Sequence, residues 1–320
     1  MIAKSSNMVE QTSISRREFM FLLAGAVSLA ALPLSSCAEM SGDKKLVLGN
    51  PTISPPAISM ERTLKVGVNV GYAPFAGTSD TQDGTKLIGI DIDVAAAMAD
   101  YMGLNLELVD ITERNVADLF INGEVDLVMG NQRDDPEHSP FVLVGPYLYD
   151  GPAVFCKGLH APAGGFDLSS LNGQTIAARS SSLAGYLAEK RFGAQNVSFY
   201  TEIFEVFDAL DSGAVSYAVA DAIVGGFRSG KYRDILCLGF FEQPRKVFVA
   251  VEPGNQDLTD MATRAWKELR DKGTLRIIAN KWLGYSTTDL ILSAGLEGLP
   301  VDTGDDLPDP DNAGNGGAEE

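Results

Sequence analysis

The chain contains the same short pattern twice, and this repeat limits the folds that it can adopt. The first copy is Leu119-Phe-Ile-Asn-Gly-Glu-Val-Asp-Leu-Val-Met, and the second is Leu210-Asp-Ser-Gly-Ala-Val-Ser-Tyr-Ala-Val-Ala. In each copy the end of a helix is joined to an apolar strand by a glycine, which commonly occupies the left-handed position after a helix. The two copies therefore predict two lobes that are built in a similar way.

Strands and helices alternate along both halves of the chain. In the segment 91–102, acids occupy the first turn, apolar residues recur at helical spacing and Gly103 follows, which predicts a helix. Strands are predicted at 64–68, 106–109, 125–129, 175–178, 197–200, 215–220 and 247–251, further helices at 116–121, 182–191, 202–210 and 258–282, and a loop at 71–85. This alternation predicts an α/β protein in which mainly parallel sheets are flanked by helices.

The N-terminal segment has the features of an export signal. Arg16 and Arg17 form a twin-arginine signature, and the apolar run 21–34 that follows is shorter than the ~20 residues that span a bilayer. The run ends at Leu34-Ser-Ser-Cys37, which is similar to a bacterial lipobox. These features predict that residues 1–36 are a signal peptide and that Cys37 carries lipid outside the cytoplasm. The alternative is an uncleaved anchor helix.

Composition differs sharply at the two ends of the chain. Residues 37–62 are rich in Ser, Pro and Gly, which predicts a spacer behind the lipid. Residues 285–320 contain nine acids and no base, and are predicted to be a disordered tail. The net charge of −18 argues against nucleic acid as a partner.

The cysteines and histidines offer little support for a metal site. Cys156 and Cys237 either pair in an oxidising compartment or remain buried thiols, and their spacing does not decide between the two. The chain has only two histidines, His138 and His160, with no metal-ligand spacing around them. Neither a zinc site nor another cofactor is expected.

Several short motifs occur in an order that resembles a known family. They include Tyr72-Ala-Pro-Phe75, Gly89-Ile-Asp-Ile-Asp-Val-Ala95, Gly123-Glu-Val-Asp126, Ala220-Asp221 and Lys281-Trp-Leu-Gly284. Together they resemble family 3 of the solute-binding proteins of ABC transporters, which are mostly amino-acid receptors. The resemblance covers roughly residues 64–284.

The resemblance implies a type II periplasmic-binding-protein fold with two lobes and two hinge strands. Lobe one is expected at 63–150 and returns at 247–284, while lobe two is expected at 151–246. The hinges are expected near 151–153 and 245–247. A small-molecule ligand is expected in the cleft between the lobes, and an ABC permease in the membrane is the expected partner.

The resemblance also implies site residues. Tyr72 is expected to pack against the ligand, and Asn69 matches a position that often carries an acid. Asp221 matches the acid that binds the ligand ammonium, and Ser181 and Ser182 match a turn that binds the ligand carboxylate. The structural alternatives are loop packing for Tyr72 and helix capping for Asp221 and the serines.

The chain departs from the family where amino-acid receptors carry an arginine that binds the ligand carboxylate. His138 matches that position, and Glu137 is the equivalent if the alignment shifts by one residue. Arg133 falls at a nearby site position together with Asn131, and Arg179 precedes the serine turn. Either arginine can supply the guanidinium, or it can be a solvated surface charge.

Three functions follow from the resemblance. The main expectation is a binding protein, not an enzyme, that hands a small polar solute to a permease. The second is an enzyme similar to the cyclohexadienyl dehydratases, with His138 or Glu137 as acid or base. The third is an accessory or sensory protein that keeps the same fold.

Overall fold

The computed structural model describes residues 50–81, 84–133, 136–161 and 166–294. The predicted signal peptide, the Cys37 lipid site and residues 295–320 of the predicted tail lie outside the described residues. Within the described ranges, no helix combines the length and the apolar character needed to cross a membrane.

The described residues form twelve strands and eight longer helices. In chain order they are β1 Thr63–Val68, β2 Gly77–Thr81, β3 Gly84–Ile88, α1 Ile90–Met102, β4 Asn105–Asp110, α2 Val116–Ile121, β5 Leu127–Arg133, β6 Val142–Asp150, β7 Pro152–Lys157, β8 Ile176–Arg179, α3 Leu183–Phe192, β9 Val197–Tyr200, α4 Ile203–Ser212, β10 Tyr217–Asp221, α5 Ala222–Ser229, β11 Ile235–Phe240, β12 Arg245–Val251, α6 Gln256–Asp271, α7 Thr274–Leu283 and α8 Tyr285–Ser293.

Two five-stranded sheets organise the fold. The first has the order β4-β1-β5-β12-β6, and the second has the order β11-β7-β10-β8-β9. In the first sheet β1 is parallel to β4 and β5, while β12 is antiparallel to β5 and β6. In the second, β8 is parallel to β9 and β10, while β7 is antiparallel to β10 and β11. The predicted α/β fold class is confirmed, and the antiparallel pairs arise where the chain crosses between the sheets.

The chain crosses from the first sheet to the second at Gly151, which separates β6 from β7. It returns through residues 241–244, between β11 and β12. The two crossings touch, because a Cβ added to Gly151 would lie 3.0 Å from Cα of Pro244. We call the parts built around the first and second sheets lobe 1 and lobe 2.

The repeated pattern occupies equivalent places in the two lobes. In lobe 1, α2 leads through Gly123 into β5, and in lobe 2, α4 leads through Gly213 into β10. Both glycines have left-handed backbones, with φ of 63° and 77°, where a side chain is disfavoured. The predicted similarity between the lobes is therefore present at the residues that suggested it.

The core continues from one lobe into the other. The largest buried cluster includes Ile90 and Leu258 of lobe 1 and Phe155 and Phe207 of lobe 2. Two smaller clusters cover the opposite faces of the sheets, around Leu119 in lobe 1 and around residues of β8 and α3 in lobe 2. Each sheet is thus buried on both faces, which suits its apolar strands.

The predicted spacer at 37–62 extends too far towards the C-terminus, because residues 50–62 pack on lobe 1. Ile58 is fully buried in the main core. The Ser59 N–H donates to Asp126 Oδ1 at 2.7 Å, and Asn255 Nδ2 donates to the carbonyl of Ala57 at 2.9 Å. A composition rich in Ser and Pro hid this buried isoleucine and these long-range hydrogen bonds.

The predicted disordered tail is wrong for its first part. Residues Tyr285–Ser293 form α8, in which Thr287, Thr288 and Ile291 are fully buried. The Ser286 hydroxyl accepts a hydrogen bond from the Cys237 N–H at 3.2 Å. Averaging the charge over 36 residues concealed this segment, because its only acid is Asp289.

Helix α8 contacts both lobes. It packs on β11 and α5 of lobe 2 and on β6 and α7 of lobe 1. The contact with α5 is close, since a Cβ added to Gly226 would lie 2.5 Å from Cγ2 of Thr287. Nearby, the rings of Phe227 in α5 and Trp282 in α7 lie 6.2 Å apart. Helix α8 is therefore a third link between the lobes, besides the two crossings.

Two other predictions need correction. The predicted loop at 71–85 contains part of a hairpin, in which β2 pairs with β3. The predicted helix 258–282 is broken into α6 and α7 at Gly273, whose φ is 73°. Helical periodicity continues across the break, so the apolar pattern alone did not reveal it.

Cys156 and Cys237 are both free and buried. They lie on the neighbouring strands β7 and β11, where Cys156 is opposite Leu236 and Cys237 is opposite Phe155. Because successive residues of a strand point to opposite faces, the two thiols lie on different sides of the sheet. They accordingly belong to different core clusters, which excludes the disulfide.

A chain that stops after Gly284 is expected to be less stable than a chain that stops after Ala294. The loss of α8 exposes apolar surface on both lobes, which should lower the free energy of unfolding by about 3 kcal/mol. Ile291→Ala is expected to cost about 2–5 kcal/mol, because it leaves a cavity. Tyr285→Ala, at a side chain that is 78% exposed, is the control. Urea unfolding measures these differences, and equal midpoints for the two truncated chains would contradict a stabilising role for α8.

Candidate functional site

The predicted site residues follow the carboxyl ends of strands in both lobes. Asn69 and Tyr72 follow β1, while Ser181 and Ser182 follow β8 and Asp221 ends β10. Because β8 and β10 are parallel, their ends meet at the same edge of the sheet. In open α/β sheets this edge is the usual position for a ligand.

Three further candidates follow or lie in β5. The backbone of Asn131 and Arg133 belongs to β5, and their side chains lie outside the described part of the structure. His138 ends the short 3-10 turn Pro136–His138 and is exposed, as is Glu137. The roles of these three candidates in binding stay predictions.

Tyr72 presents one face of its ring away from the core. Its ring stacks on Phe75, with centroids 5.1 Å apart and planes 5° apart. Phe75 is 2% exposed and Tyr72 is 40% exposed, so the outer face of Tyr72 is accessible. Loop packing and ligand contact are therefore compatible at this residue.

Asn69 supports the loop that carries Tyr72. Its Oδ1 accepts a hydrogen bond from the Gly71 N–H at 3.2 Å, and its backbone carbonyl accepts one from the Tyr72 N–H at 3.2 Å. The side-chain acceptor thus holds the turn directly before Tyr72. This contact is local in sequence and is typical of asparagine in turns.

Ser181 and Ser182 form the turn between β8 and α3. Ser181 has a left-handed backbone, with φ of 57°. The Ser182 hydroxyl donates to the carbonyl of Arg179 at 2.7 Å and accepts from the Gly185 N–H at 3.1 Å. Ser182 is therefore the N-cap of α3, as the structural alternative proposed, and Arg179 lies directly before this turn.

Asp221 is half-buried and stands at the N-cap position of α5, but its side chain makes no cap hydrogen bond. The capping alternative is therefore wrong for this residue. Burial raises the pKa of Asp221, while the positive charges of Arg179 and Arg245 oppose that rise. The carboxylate lies between solvent and core, close to two guanidinium groups.

Asp150 supplies the hydrogen-bond acceptor at the start of α5 that the Asp221 side chain does not supply. It is the last residue of β6, is 3% exposed, and accepts a hydrogen bond from the Ile223 N–H at 3.0 Å through Oδ1. Burial raises the pKa of Asp150 to about 7, the Asp221 carboxylate raises it as well, and the Ile223 N–H opposes the rise. Sequence reasoning missed this residue, whose only local signal is an acid next to the hinge glycine.

A second buried carboxyl lies beneath the Tyr72 loop. Tyr147 donates its hydroxyl proton to Asp91 Oδ1 at 2.6 Å and accepts from the Gly130 N–H at 3.0 Å. These bonds join the start of α1 to β5 and β6. Burial raises the pKa of Asp91 to about 7, and the Tyr147 hydroxyl opposes the rise.

Within the described ranges, no group of three or more His, Cys, Asp or Glu side chains is arranged to hold a metal ion. The candidate site residues carry charged groups, hydroxyl groups and one aromatic ring. Such groups bind and orient a polar solute.

The contribution of Asp91 and Asp150 to the free energy of unfolding is expected to fall as pH rises from about 4 towards 7. Asp91 and Asp150 keep their protons in the folded state up to about pH 7, whereas the ordinary value for aspartate is 3.8. The folded state therefore binds more protons across this range, and linkage gives a negative slope.

Asp91→Asn and Asp150→Asn should each flatten this slope, because the amide does not titrate. Urea unfolding between pH 4 and pH 8 is the measurement. Asp100→Asn, at an exposed position of α1, controls for the loss of one formal charge. A slope that both buried substitutions leave unchanged would contradict the assignment.

Comparisons with known proteins agree on the family. The profile of the bacterial extracellular solute-binding proteins, family 3, matches residues 64–285. The arginine-binding extracellular protein ArtP of Bacillus subtilis (strain 168) is 23% identical over 283 residues, which cover 83% of this chain and 98% of ArtP. The match thus spans nearly the whole length of ArtP.

An enzyme is also among the relatives. The membrane-bound lytic murein transglycosylase F of Shewanella frigidimarina (strain NCIMB 400) is 24% identical over 262 residues. The match covers 78% of this chain and 52% of the transglycosylase, so this chain spans about half the length of that enzyme. Sequences of this kind therefore occur in binding proteins and as part of enzymes.

The fold agrees with a solved structure of a substrate-binding protein of a polar amino acid ABC uptake transporter from Streptococcus thermophilus. The TM-score is 0.62 at 20% identity, over 71% of this chain and 88% of that protein. At this identity the likeness shows the fold alone.

Proposed function

Because the chain belongs to family 3 of the bacterial extracellular solute-binding proteins, we propose that it captures a small polar solute and delivers it to an ABC permease. The solute is an amino acid or a related compound that carries a positive group. It is bound in the cleft between lobe 1 and lobe 2, and it favours the closed cleft because it contacts both lobes.

The observation that supports this proposal most is the state of Asp221. Its carboxylate stands at the carboxyl end of β10, is half-buried, and is not used to cap α5. A carboxylate in this position suits a charge-assisted hydrogen bond to an ammonium group. Burial already disfavours its ionised form, so a bound cation relieves an electrostatic cost.

A second feature supports a ligand that also carries a carboxylate. Arg179 ends β8, and the turn of Ser181 and Ser182 leads from it into α3. The start of a helix and a neighbouring guanidinium both favour an anion. Arg179 therefore takes the role of the arginine that the family places in the segment of Arg133 and His138.

The proposal includes a location outside the cytoplasm. The twin-arginine signature and the lipobox-like sequence support export and attachment to the outer face of the membrane through lipid on Cys37. Attachment keeps the receptor close to its permease.

A ligand screen tests the proposal. Purified protein is heated with L-arginine, L-glutamine, L-cystine, polyamines or organic acids, and calorimetry follows for any compound that raises the melting temperature. Binding of one class without turnover supports a receptor. Release of product from prephenate or from murein fragments, without binding of any amino acid, would favour the enzyme hypothesis instead.

Asp221→Ala is expected to weaken binding of the ligand found in this screen by more than tenfold. Loss of one partner of a buried charged hydrogen bond costs about 2–5 kcal/mol, and ~1.4 kcal/mol corresponds to tenfold in affinity. Tyr72→Ala should cost less and should depend on ligand size. Tyr101→Ala, at an exposed tyrosine of α1, is the matched control. Calorimetry decides, and unchanged affinity in Asp221→Ala would remove the ammonium site from the proposal.

Cys37→Ser is expected to release the protein or to leave it as an unprocessed precursor, because acylation needs the thiol. Intact-mass measurement on protein from the native membrane is the direct check. Wild-type protein without acyl chains at Cys37 would refute the lipid anchor and leave the binding function standing.

A further inference from the structure

We infer that Asp150 is a positioning residue for the binding site: it caps α5 from the crossing between the lobes and so leaves the carboxylate of Asp221 to the ligand. The inference deepens the proposed function and rests on it. It concerns a residue that contacts α5 and not the ligand.

The start of α5 explains why a cap is needed. The first N–H groups of a helix have no acceptor within the helix, and the N-cap side chain usually supplies one. In α5 the first two N–H groups donate to acceptors at the crossing between the lobes. The Ala222 N–H donates to the Gly151 carbonyl at 2.8 Å, and the Ile223 N–H donates to Asp150 Oδ1 at 3.0 Å.

Asp221 has the backbone of an N-cap residue without its hydrogen bond. Its φ and ψ are −60° and 137°, an extended conformation that is usual for this position. Aspartate is among the most favoured N-cap residues, so the absent bond needs a reason. An N-cap side chain accepts from the N–H of the second or third residue of its helix, and the first of these groups, on Ile223, is already paired with Asp150 Oδ1.

The surrounding charges favour this division of roles. Asp150 is opposite Arg245 in the pairing of β6 with β12, and Arg245 acts on Asp221 as well. Arg179 at the end of β8 also acts on Asp221. The Ile223 N–H is already paired with Asp150 Oδ1, and the guanidinium groups stabilise the Asp221 carboxylate where it is.

Removal of the Asp150 carboxyl group should make the Asp221 side chain the cap of α5. Without the remote cap, the buried Ile223 N–H has no acceptor, and such a group is costly to leave unpaired. A change of side-chain rotamer brings Asp221 to this N–H, and the carboxylate is then lost to the ligand. Asparagine at position 150 still offers an acceptor oxygen and should prevent this change.

The first experiment needs no ligand. The amide proton of Ile223 is followed by NMR as pH is varied, since an amide that donates to a carboxylate shifts when that carboxylate titrates. The pH-dependent shift of the Ile223 amide in the wild type should disappear in Asp150→Asn and persist in Asp221→Asn. In Asp150→Ala a shift should return, and it should be absent from Asp150→Ala combined with Asp221→Asn. An Ile223 amide that titrates normally in Asp150→Asn would overturn the inference.

The second experiment measures binding of L-arginine by calorimetry. Asp150→Ala should weaken binding more than tenfold, and Asp150→Asn should restore most of that loss. In the Asp221→Asn background, Asp150→Ala should cause little further loss, because the two residues act through one group. Equal losses in both backgrounds would show that Asp150 is only a structural residue and would overturn the inference.

Asp126 provides the matched control. It is a buried carboxylate of lobe 1 that accepts from the Ser59 and Lys65 N–H groups at 2.7 and 2.8 Å. Asp126→Ala should lower stability without the selective loss of affinity. If wild-type protein does not bind L-arginine, that choice of ligand fails, and the amide titration still decides the inference about Asp150.

Discussion

The interaction on which the structure depends is the contact between the crossing at Asp150 and Gly151 and the start of α5. Two hydrogen bonds of 2.8 and 3.0 Å fasten the first turn of a lobe 2 helix to the point where the chain leaves lobe 1. The return crossing rests on the same point, because Pro244 lies against Gly151. The hinge, the end of β10 and the candidate ligand carboxylate are therefore one local structure.

Helix α8 adds a constraint to this hinge. It packs on elements of both lobes, so any rotation of one lobe against the other must change its contacts. The free energy of closing the cleft thus includes the packing of α8 as well as the two crossings. A ligand shifts such an equilibrium only by its differential affinity for the two states. Charged groups of a ligand that contact both lobes only when the cleft is closed would supply such a difference in affinity.

Local features of the sequence were enough for much of the fold, but not for the contacts across the hinge. The glycine turns after α2 and α4, the cap of α2 by Asn115, and the end of α1 at Gly103 are all decided by neighbouring residues. The bond from Ile223 to Asp150 joins residues 73 apart, so no local pattern reveals it. Helix α8 was missed because composition was averaged over a longer acidic segment.

Two helices of lobe 2, α3 and α5, begin at the carboxyl ends of β8 and β10 and are capped in different ways, with different chemical results. At α3 the cap is local, so the Ser182 hydroxyl is occupied by the Arg179 carbonyl and the Gly185 N–H. The start of this helix and Arg179 then favour negative charge. At α5 the cap is remote, and a carboxylate remains beside the helix start. One edge thus offers a positive and a negative position on neighbouring strands, which is the arrangement that a zwitterion requires.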